Sequence, residues 1–282
     1  MAKLSRGQRT GAGTIALLVL AALSLMLMIM LVMGLVAVPT GRRRPMDEGA
    51  VVELKLPTHR HGDENPLAPW VEVLSWEPRA FLYHHFLTQE ECNHLIETAR
   101  PSLVKSTVVD SATGKSKDSR VRTSSGTFLM RGQDPVIMRI EKRIADFTFI
   151  PVEQGEGLQV LQYRESEKYE AHYDYFHDAF NTKNGGQRIA TVLMYLSNVE
   201  EGGETVFPAA KVNSSEVPDW DQRSECAKAG ISVRPRMGDA LLFWSMKPDA
   251  TLDPTSLHGG CPVIKGTKWS ATKWLHVDNY AV

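Results

Sequence analysis

The 282-residue chain carries 32 basic and 33 acidic side chains, so its formal charge is −1. This balance lacks the basic field with which proteins bind nucleic acid, and nucleic-acid partners are excluded on that ground. The hydrophobic fraction of 43% is ordinary for a globular protein, but it is unevenly distributed along the chain.

The first predicted element is an apolar segment, residues 15–38, within a stretch that has no charged residue from Thr10 to Gly41. The segment is long enough to cross a bilayer core of about 30 Å, and it exceeds the roughly 7–15 apolar residues of a cleavable signal. We therefore expect an uncleaved transmembrane signal anchor, with a cleaved signal peptide ending near Ala37 as the alternative. Basic residues flank both ends almost equally, and the N-terminal amine favours a cytosolic segment 1–14.

Two features favour a lumenal position for the rest of the chain. Asn213 begins the chain's N-glycosylation sequon, and the three cysteines permit one disulfide and one leftover thiol. We expect a membrane-anchored, single-pass type II protein of the endoplasmic reticulum, or of the Golgi, whose body faces the lumen.

The anchor is followed by a predicted stem and then by one domain. Residues 39–70 contain five prolines and no apolar periodicity, which is typical of a linker. Residues 71–282 are enough for one sizeable domain. Thr88 and Glu91 form a capping-box pattern that begins one helix, and Asp134 before Pro135 begins a second.

Between these helices, residues 105–127 are polar and are predicted to be a long loop, which in a compact domain is either disordered or functional. Beyond Gly157 the pattern changes to short β-branched and aromatic segments separated by turn residues. The predicted strands cover residues 158–163, 188–196, 204–207, 231–233, 240–244 and 267–277. Helices followed by many strands predict an α+β fold: a double-stranded β-helix, or jelly roll, over residues 155–278 with supporting N-terminal helices.

The segment HYDYFHD, residues 172–178, carries the first candidate metal ligands. In a strand, residues two apart share a face, so His172 and Asp174 point to the same side and His177 to the other. An imidazole and a carboxylate in this arrangement are two of the three ligands in the facial triad of non-haem Fe(II) oxygenases. The alternative is that these residues form the polar end of a strand and bind no metal.

Two further residues complete the pattern. His258 lies between a turn and a predicted strand, where it could supply the third ligand, and Lys268 follows ten residues later. A lysine there could bind the distal carboxylate of a keto acid that chelates the metal, although an isolated strand lysine is usually exposed. Together, the two histidines, the aspartate and the lysine form a specific pattern.

Four segments carry a family resemblance: LQVLQYRESEKYEAHYDYFHD, QRIATVLMYLSNVEEGGETVFP, GDALLFWS and SLHGGCPVIKGTKWSATKW. They resemble the prolyl 4-hydroxylases of plants and algae, which are Fe(II)- and 2-oxoglutarate-dependent dioxygenases. The resemblance implies hydroxylation of peptidyl proline, as by a procollagen-proline-type 4-dioxygenase, with 2-oxoglutarate converted to succinate and CO2. It further implies O2 as the oxidant and ascorbate as the agent that maintains the iron.

The resemblance also implies roles for individual residues. His172, Asp174 and His258 would ligate iron, and Lys268, Tyr163 and Thr205 would bind 2-oxoglutarate. His177 and Asp178 would be structural. The substrate would be a proline-rich segment of a secretory or cell-wall protein, contacted by residues Arg188, Trp274 and His276. A disulfide between Cys226 and Cys261 is implied, with Cys92 free on a helix.

Two rival functions remain open at this point. The first is a 2-oxoglutarate oxygenase of the same fold with another substrate, and the second is a non-catalytic jelly-roll binding module such as a lectin. The sequence does not indicate an oligomeric state.

Overall fold

The computed structural model describes residues 68–109, 116–118, 121–217 and 219–282. The predicted cytosolic segment and signal anchor lie outside the described residues, as does nearly all of the predicted stem. Among the described residues, no helix has both the length and the apolar character needed to cross a membrane.

Strands outnumber helices among the described residues, which form sixteen strands and two α-helices. The helices are α1 (Gln89–Ala99) and α2 (Pro135–Thr148). The first eight strands are β1 (Trp70–Trp76), β2 (Arg79–His84), β3 (Val104–Lys105), β4 (Thr107–Val109), β5 (Ser116–Asp118), β6 (Ser125–Leu129), β7 (Leu158–Tyr163) and β8 (Tyr169–His172). The others are β9 (Arg188–Tyr195), β10 (Glu201–Gly202), β11 (Thr205–Phe207), β12 (Ile231–Val233), β13 (Ala240–Trp244), β14 (His258–Gly260), β15 (Val263–Lys265) and β16 (Lys268–His276).

Two of the sheets form the body of the domain. The larger sheet has the order β1-β2-β13-β9-β16-β7-β6-β3, and the smaller has the order β12-β11-β14-β8. Neighbouring strands are antiparallel in both sheets. The two faces of an antiparallel sheet can have different surroundings. Two short strand pairs, β10-β15 and β4-β5, lie outside these sheets.

Alternation along the strands divides the larger sheet into two faces. One face packs with apolar residues of α1 and α2, among them Leu95 and Ile140, in the main hydrophobic core. The other face meets the smaller sheet, where Phe243 of β13 packs edge-on against Phe207 of β11 with ring centroids 5.3 Å apart. The helix-supported pair of sheets predicted from the sequence is therefore present, and the space between the two sheets can hold a site.

Both helices begin where the sequence predicts. Thr88 accepts a hydrogen bond from the Glu91 amide, and the Glu91 carboxylate accepts one from the Thr88 amide. Asp134 accepts bonds from the amides of residues 136 and 137, and Pro135 occupies the first helical position. These caps satisfy amides that have no partner within the helix, and the predicted starts are confirmed.

The predicted loop over residues 105–127 is wrong, because strands β3 to β6 occupy much of it. β6 pairs with β7 along its whole length. Gly126 allows this pairing, since a Cβ there would lie 2.7 Å from the Leu161 side chain and 3.0 Å from the Val160 carbonyl oxygen. A glycine and serines usually indicate a loop, but here the close approach of two backbones requires the missing side chain.

Buried charges tie distant parts of the fold together. Lys273 of β16 and Glu141 of α2 form an ion pair with both side chains about 1% exposed. In a second cluster, the ring nitrogens of His84 lie 3.0 Å from Asp239 and 3.0 Å from Glu72. Burial opposes protonation of His84, but the two carboxylates prevail and raise its pKa to about 9.

The described cysteines and the sequon have defined positions. Cys226 and Cys261 form a disulfide with a sequence separation of 35, which links the segment before β12 to the end of β14. Cys92 on α1 is buried and free. Asn213 is exposed, and its side-chain oxygen accepts hydrogen bonds from the Ser215 amide and hydroxyl at 3.3 and 2.8 Å.

Candidate active site

The smaller sheet brings the two sequence-distant histidines together. His258 begins β14 and lies directly opposite His172, which ends β8. Asp174, two residues after His172, presents its carboxylate 3.6 Å from His172 Nε2 and 3.5 Å from His258 Nε2. One donor atom from each of these three residues lies within 4.8 Å of the others, so the three could hold one metal ion.

Neighbouring groups fix the orientation of each candidate ligand. His172 Nδ1 lies 2.9 Å from the Glu170 carbonyl oxygen, and His258 Nδ1 lies 2.9 Å from the Ser256 carbonyl oxygen. Because a carbonyl oxygen only accepts, each Nδ1 carries the proton and each Nε2 presents a lone pair. The Thr191 hydroxyl donates to Asp174 Oδ2 at 2.6 Å.

Protonation states at the site suit metal binding. Burial lowers the pKa of His258 to about 4, so its imidazole is neutral near pH 7. Burial opposes ionisation of Asp174, but the His258 and His172 rings hold the pKa of the carboxyl well below its usual range. Two imidazoles and one carboxylate on one face are the donor set that Fe(II) takes in non-haem oxygenases, and the residues fit that ion.

A cavity between the two sheets is lined by the three candidate ligands together with Lys268, Tyr163 and Thr205. Lys268 begins β16 directly opposite Tyr163 of β7, and its side chain is almost fully buried. Its ammonium donates to the Gly203 carbonyl oxygen at 2.7 Å. Burial lowers the pKa of Lys268 to about 8, against the opposing charge of Glu204.

Hydroxyl groups accompany this lysine in the cavity. The Tyr195 hydroxyl donates to Thr205 Oγ1 at 2.8 Å, which leaves the Thr205 hydroxyl proton available as a donor. Burial raises the pKa of Tyr163, so its phenol stays protonated and can also donate. The cavity therefore combines a metal-binding end with a separate group of cationic and hydroxyl donors, which is the chemistry needed to hold a dicarboxylic keto acid.

Arg122 is a site residue that the sequence reasoning missed. It lines the cavity, donates from Nη2 to Gln159 Oε1 at 2.7 Å, and lies 4.7 Å from the centroid of the Tyr169 ring. Tyr169 in turn stacks on His172 with ring centroids 3.6 Å apart. Arg122 lies within residues 105–127, whose polar composition predicts a loop, and composition alone does not show which side chain of a loop enters a cavity.

A wider groove adjoins the candidate ligands and is lined by Arg188 and Trp274. The Arg188 guanidinium lies 4.0 Å from the centroid of the Trp274 ring and 4.7 Å from that of Phe176. Its Nε donates to Glu156 Oε1 at 2.7 Å. Arg188 is therefore held between two aromatic rings and a carboxylate, with Trp274 forming part of the groove wall.

His276 is placed differently from its predicted role as a substrate contact. Its ring is fully buried, with Nε2 2.8 Å from Glu156 Oε1 and Nδ1 3.1 Å from the Gly186 carbonyl oxygen. The Tyr280 ring covers it at a centroid distance of 4.6 Å. Strand parity assigns a face but does not show what covers it. His276 supports Glu156 and, through it, Arg188, and its contact with substrate stays a prediction.

His177 and Asp178, at the end of HYDYFHD, contact neighbouring residues of the same segment. Asp178 accepts hydrogen bonds from the backbone amides of Phe180 and Asn181 and from the Asn181 side chain. The His177 ring packs edge-on against Tyr175 at 5.1 Å. His177 is not in the cluster formed by the three candidate ligands.

Comparisons with known proteins agree with this site. A sequence model described as the 2OG-Fe(II) oxygenase superfamily matches residues 158–276. Probable prolyl 4-hydroxylase 3 of Arabidopsis thaliana is 74% identical over 213 residues, which cover 76% of this chain and 74% of the relative. The chain belongs to the prolyl 4-hydroxylase family. Probable prolyl 4-hydroxylase 10 of the same plant is 65% identical over 257 residues, which cover 90% of this chain and 88% of the relative.

A solved structure supports the same conclusion. A viral collagen prolyl hydroxylase from Paramecium bursaria Chlorella virus 1, in complex with 2OG, is 27% identical with a TM-score of 0.50. The match covers 69% of this chain and 94% of the viral chain. The family predicted from the sequence is confirmed, and with it the 2OG-Fe(II) oxygenase fold and the use of Fe(II) and 2-oxoglutarate.

Proposed function

We propose that the protein hydroxylates C4 of peptidyl proline in proline-rich secretory proteins. The reaction uses O2 and couples hydroxylation to conversion of 2-oxoglutarate into succinate and CO2. The observation that carries this proposal is one cavity containing three converging metal ligands and a buried lysine, open to an aromatic-lined groove, in a member of the prolyl 4-hydroxylase family.

The residues of the cavity divide into two groups by role. His172, Asp174 and His258 would hold Fe(II), which when bound supplies the activation of O2 and of the proline C–H bond. Lys268 would donate charge-assisted hydrogen bonds to the distal carboxylate of 2-oxoglutarate, and the hydroxyls of Tyr163 and Thr205 would add neutral ones. Ascorbate is the reductant that we expect to maintain the iron as Fe(II).

The groove fits an extended proline-rich segment. Polyproline II helices have no internal backbone hydrogen bonds and dock on aromatic surfaces, and the groove presents Trp274 beside the fixed guanidinium of Arg188. The ring of Trp274 can pack on pyrrolidine rings, while Arg188 can donate to peptide carbonyl oxygens. Glu156 holds Arg188 in place through a hydrogen bond, and His276 contacts the same oxygen of Glu156.

We further propose a lumenal location for this reaction, with residues 15–38 as a type II signal anchor in the endoplasmic reticulum membrane and Asn213 as a glycan acceptor. The uncharged segment 10–41 and the exposed sequon support this topology. Protease treatment of sealed microsomes tests it: the body should be protected until detergent is added. Digestion of the body without detergent would indicate the opposite topology, with the body on the cytosolic side.

The function is tested by measuring succinate release and 4-hydroxyproline formation with and without a proline-rich peptide. We expect both products to depend on the peptide, Fe(II) and 2-oxoglutarate, and both to be lost in His172→Ala. Peptide-independent succinate with no hydroxyproline would favour an oxygenase with another substrate. Peptide binding without any turnover would favour a non-catalytic binding module.

A further inference from the structure

Lys273 and Glu141 form a buried ion pair that lies outside the cavity and the groove. Lys273 is on β16 and Glu141 is on α2, and both side chains are about 1% exposed. The desolvation of two buried charges offsets much of their attraction, and replacing such a pair by apolar groups is often neutral or stabilising. The stability of the fold alone therefore does not account for this pair, and its other contacts give it a second role.

The ammonium of Lys273 also bonds to the backbone of Glu156. It donates to the Glu156 carbonyl oxygen as well as to Glu141 Oε1. The Glu156 amide donates to the carbonyl oxygen of Trp274 at 3.0 Å. Both backbone polar groups of Glu156 are thus bonded to consecutive residues of β16, which fixes the position of Glu156 along that strand.

The side chain of Glu156 reaches the arginine of the groove. Its Oε1 accepts a hydrogen bond from Arg188 Nε at 2.7 Å and lies 2.8 Å from His276 Nε2. Burial opposes ionisation of Glu156, but Arg188 and His276 hold the pKa of the carboxyl below its usual range. The Arg188 guanidinium is therefore oriented by an ionised carboxylate, and a hydrogen bond of that kind is stronger than a neutral one.

Tight packing holds the lysine and its partner in place. A Cβ at Gly155 would lie 2.3 Å from Lys273 Cε, so the backbone just before Glu156 packs directly on the lysine. Glu141 Oε2 accepts a hydrogen bond from the Gly132 amide at 2.8 Å. The carboxylate is thus fixed through one oxygen by the backbone and through the other by the lysine.

Arg131 is a second cation beside the same backbone. Its Nη1 donates to the carbonyl oxygens of Glu153, Gly155 and Tyr280 at 3.1, 3.0 and 2.9 Å. These bonds hold residues that precede Glu156 and a residue near the end of the chain. Lys273 bonds to Glu156 itself, so its contribution can be tested separately from that of Arg131.

We propose that the buried pair of Lys273 and Glu141 positions the arginine with which the groove binds the peptide. Glu141 holds the lysine, the lysine holds the backbone of Glu156, and the Glu156 carboxylate holds Arg188. The pair lies on the helix side of β16, away from the peptide, so both members are positioning residues. This inference rests on the proposed function of the groove.

The test uses the double variant Lys273→Met/Glu141→Gln, because removing one partner alone would leave a buried charge unpaired. Hydroxylation of a proline-rich peptide is measured at saturating Fe(II) and 2-oxoglutarate. We expect the KM for the peptide to rise about ten- to hundredfold, since a small misplacement of a binding group can cost about two orders of magnitude. The kcat and the 2-oxoglutarate requirement should stay near wild type, because the bonds of the pair lead to Glu156 rather than to Lys268.

A double-mutant cycle separates positioning from general damage. Arg188→Met removes the guanidinium and should raise the peptide KM on its own. If the pair acts through that guanidinium, adding Lys273→Met/Glu141→Gln to Arg188→Met should raise the KM by no more than about threefold further. Full multiplication of the two effects would show that the pair acts elsewhere, and it would overturn the proposal.

Arg143→Met is the matched control. Arg143 also lies on α2 and also bonds to a carboxylate and a backbone carbonyl, since it donates to Glu91 at 2.8 and 2.9 Å and to the Phe86 carbonyl oxygen at 2.7 Å. Its replacement should lower stability, measured by urea unfolding, and should leave the peptide KM unchanged. If the double variant does not fold, Glu141→Gln alone should raise the peptide KM by a smaller factor of about two to five.

An unchanged peptide KM in the folded double variant, or in Glu141→Gln where that variant replaces it, would overturn the proposal. A rise of the same size in Arg143→Met would overturn it as well. Each of these results would leave the proposed function intact if wild type still formed 4-hydroxyproline. Failure of wild type to hydroxylate proline-rich peptides would instead contradict the proposed function itself.

Discussion

Replacing Lys268 by alanine should raise the 2-oxoglutarate requirement strongly while leaving metal binding intact. The side chain is almost fully buried, so the bound carboxylate would lose its cationic partner without access to bulk water. Breaking a truly buried ion pair costs about 3 to 5 kcal/mol. The hydroxyls of Tyr163 and Thr205 remain in the cavity and can still donate, so we expect the lower part of this range. At about 1.4 kcal/mol per factor of ten, the requirement should rise by about two to three orders of magnitude.

The assay is a titration of 2-oxoglutarate against succinate production at saturating Fe(II). Lys268→Arg keeps the charge but brings a larger planar group into a space occupied by a point donor, so partial rescue is expected. Lys265→Ala is the matched control, because Lys265 lies three residues away and forms an exposed ion pair with Glu200. An unchanged requirement in Lys268→Ala would refute the role of the lysine and the reading of the cavity as a cosubstrate site.

Three other outcomes follow from the same geometry. His258→Ala should abolish Fe(II) binding, measured by metal content after dialysis, whereas His177→Ala should retain the metal and substantial activity; equal loss in both folded variants would contradict the ligand assignment. Loss of the disulfide in Cys226→Ser should lower the free energy of unfolding by about 4 kcal/mol by the chain-entropy model, given its sequence separation of 35, and unchanged urea unfolding would count against this. The pKa of His84, raised to about 9 by its two carboxylate partners, contributes stability that is fully present below about pH 6.5 and is lost as pH rises through about 9. The free energy of unfolding of wild type should therefore fall over that window by up to about 3 kcal/mol. His84→Gln should remove this fall, and parallel plots of stability against pH for the two proteins would refute the reasoning.

Features that depend on neighbours in the chain could be read from the sequence. Helix starts are an example, because a capping side chain bonds to amides two or three residues away, and both predicted starts are present at Thr88 and Asp134. The convergence of His172 and Asp174 is not such a feature, because β8 ends at His172 and Asp174 lies in the bend that follows. The family could also be recognised, because its motifs lie in short contiguous segments of this kind.

Features that depend on pairing between distant segments could not be read in this way. The segment 105–127 has a loop-like composition, yet β6 is a strand because β7, more than 30 residues later, accepts it as a neighbour across Gly126. Arg122 enters the cavity for the same reason, since the residues that surround it come from other strands. Composition describes a segment in isolation and carries no information on which backbone will lie beside it.

The local sequence of this protein determined the identity and spacing of its chemical groups: two histidines, an aspartate and a lysine at positions suited to strands. The tertiary structure decided which groups share an environment. It buried His276 behind the groove, set Glu156 against Arg188, and brought Lys268 to the Gly203 carbonyl oxygen. The reason is physical, because burial, charge pairing and pKa depend on distances through space, and those distances exist only after the sheets have closed around the cavity.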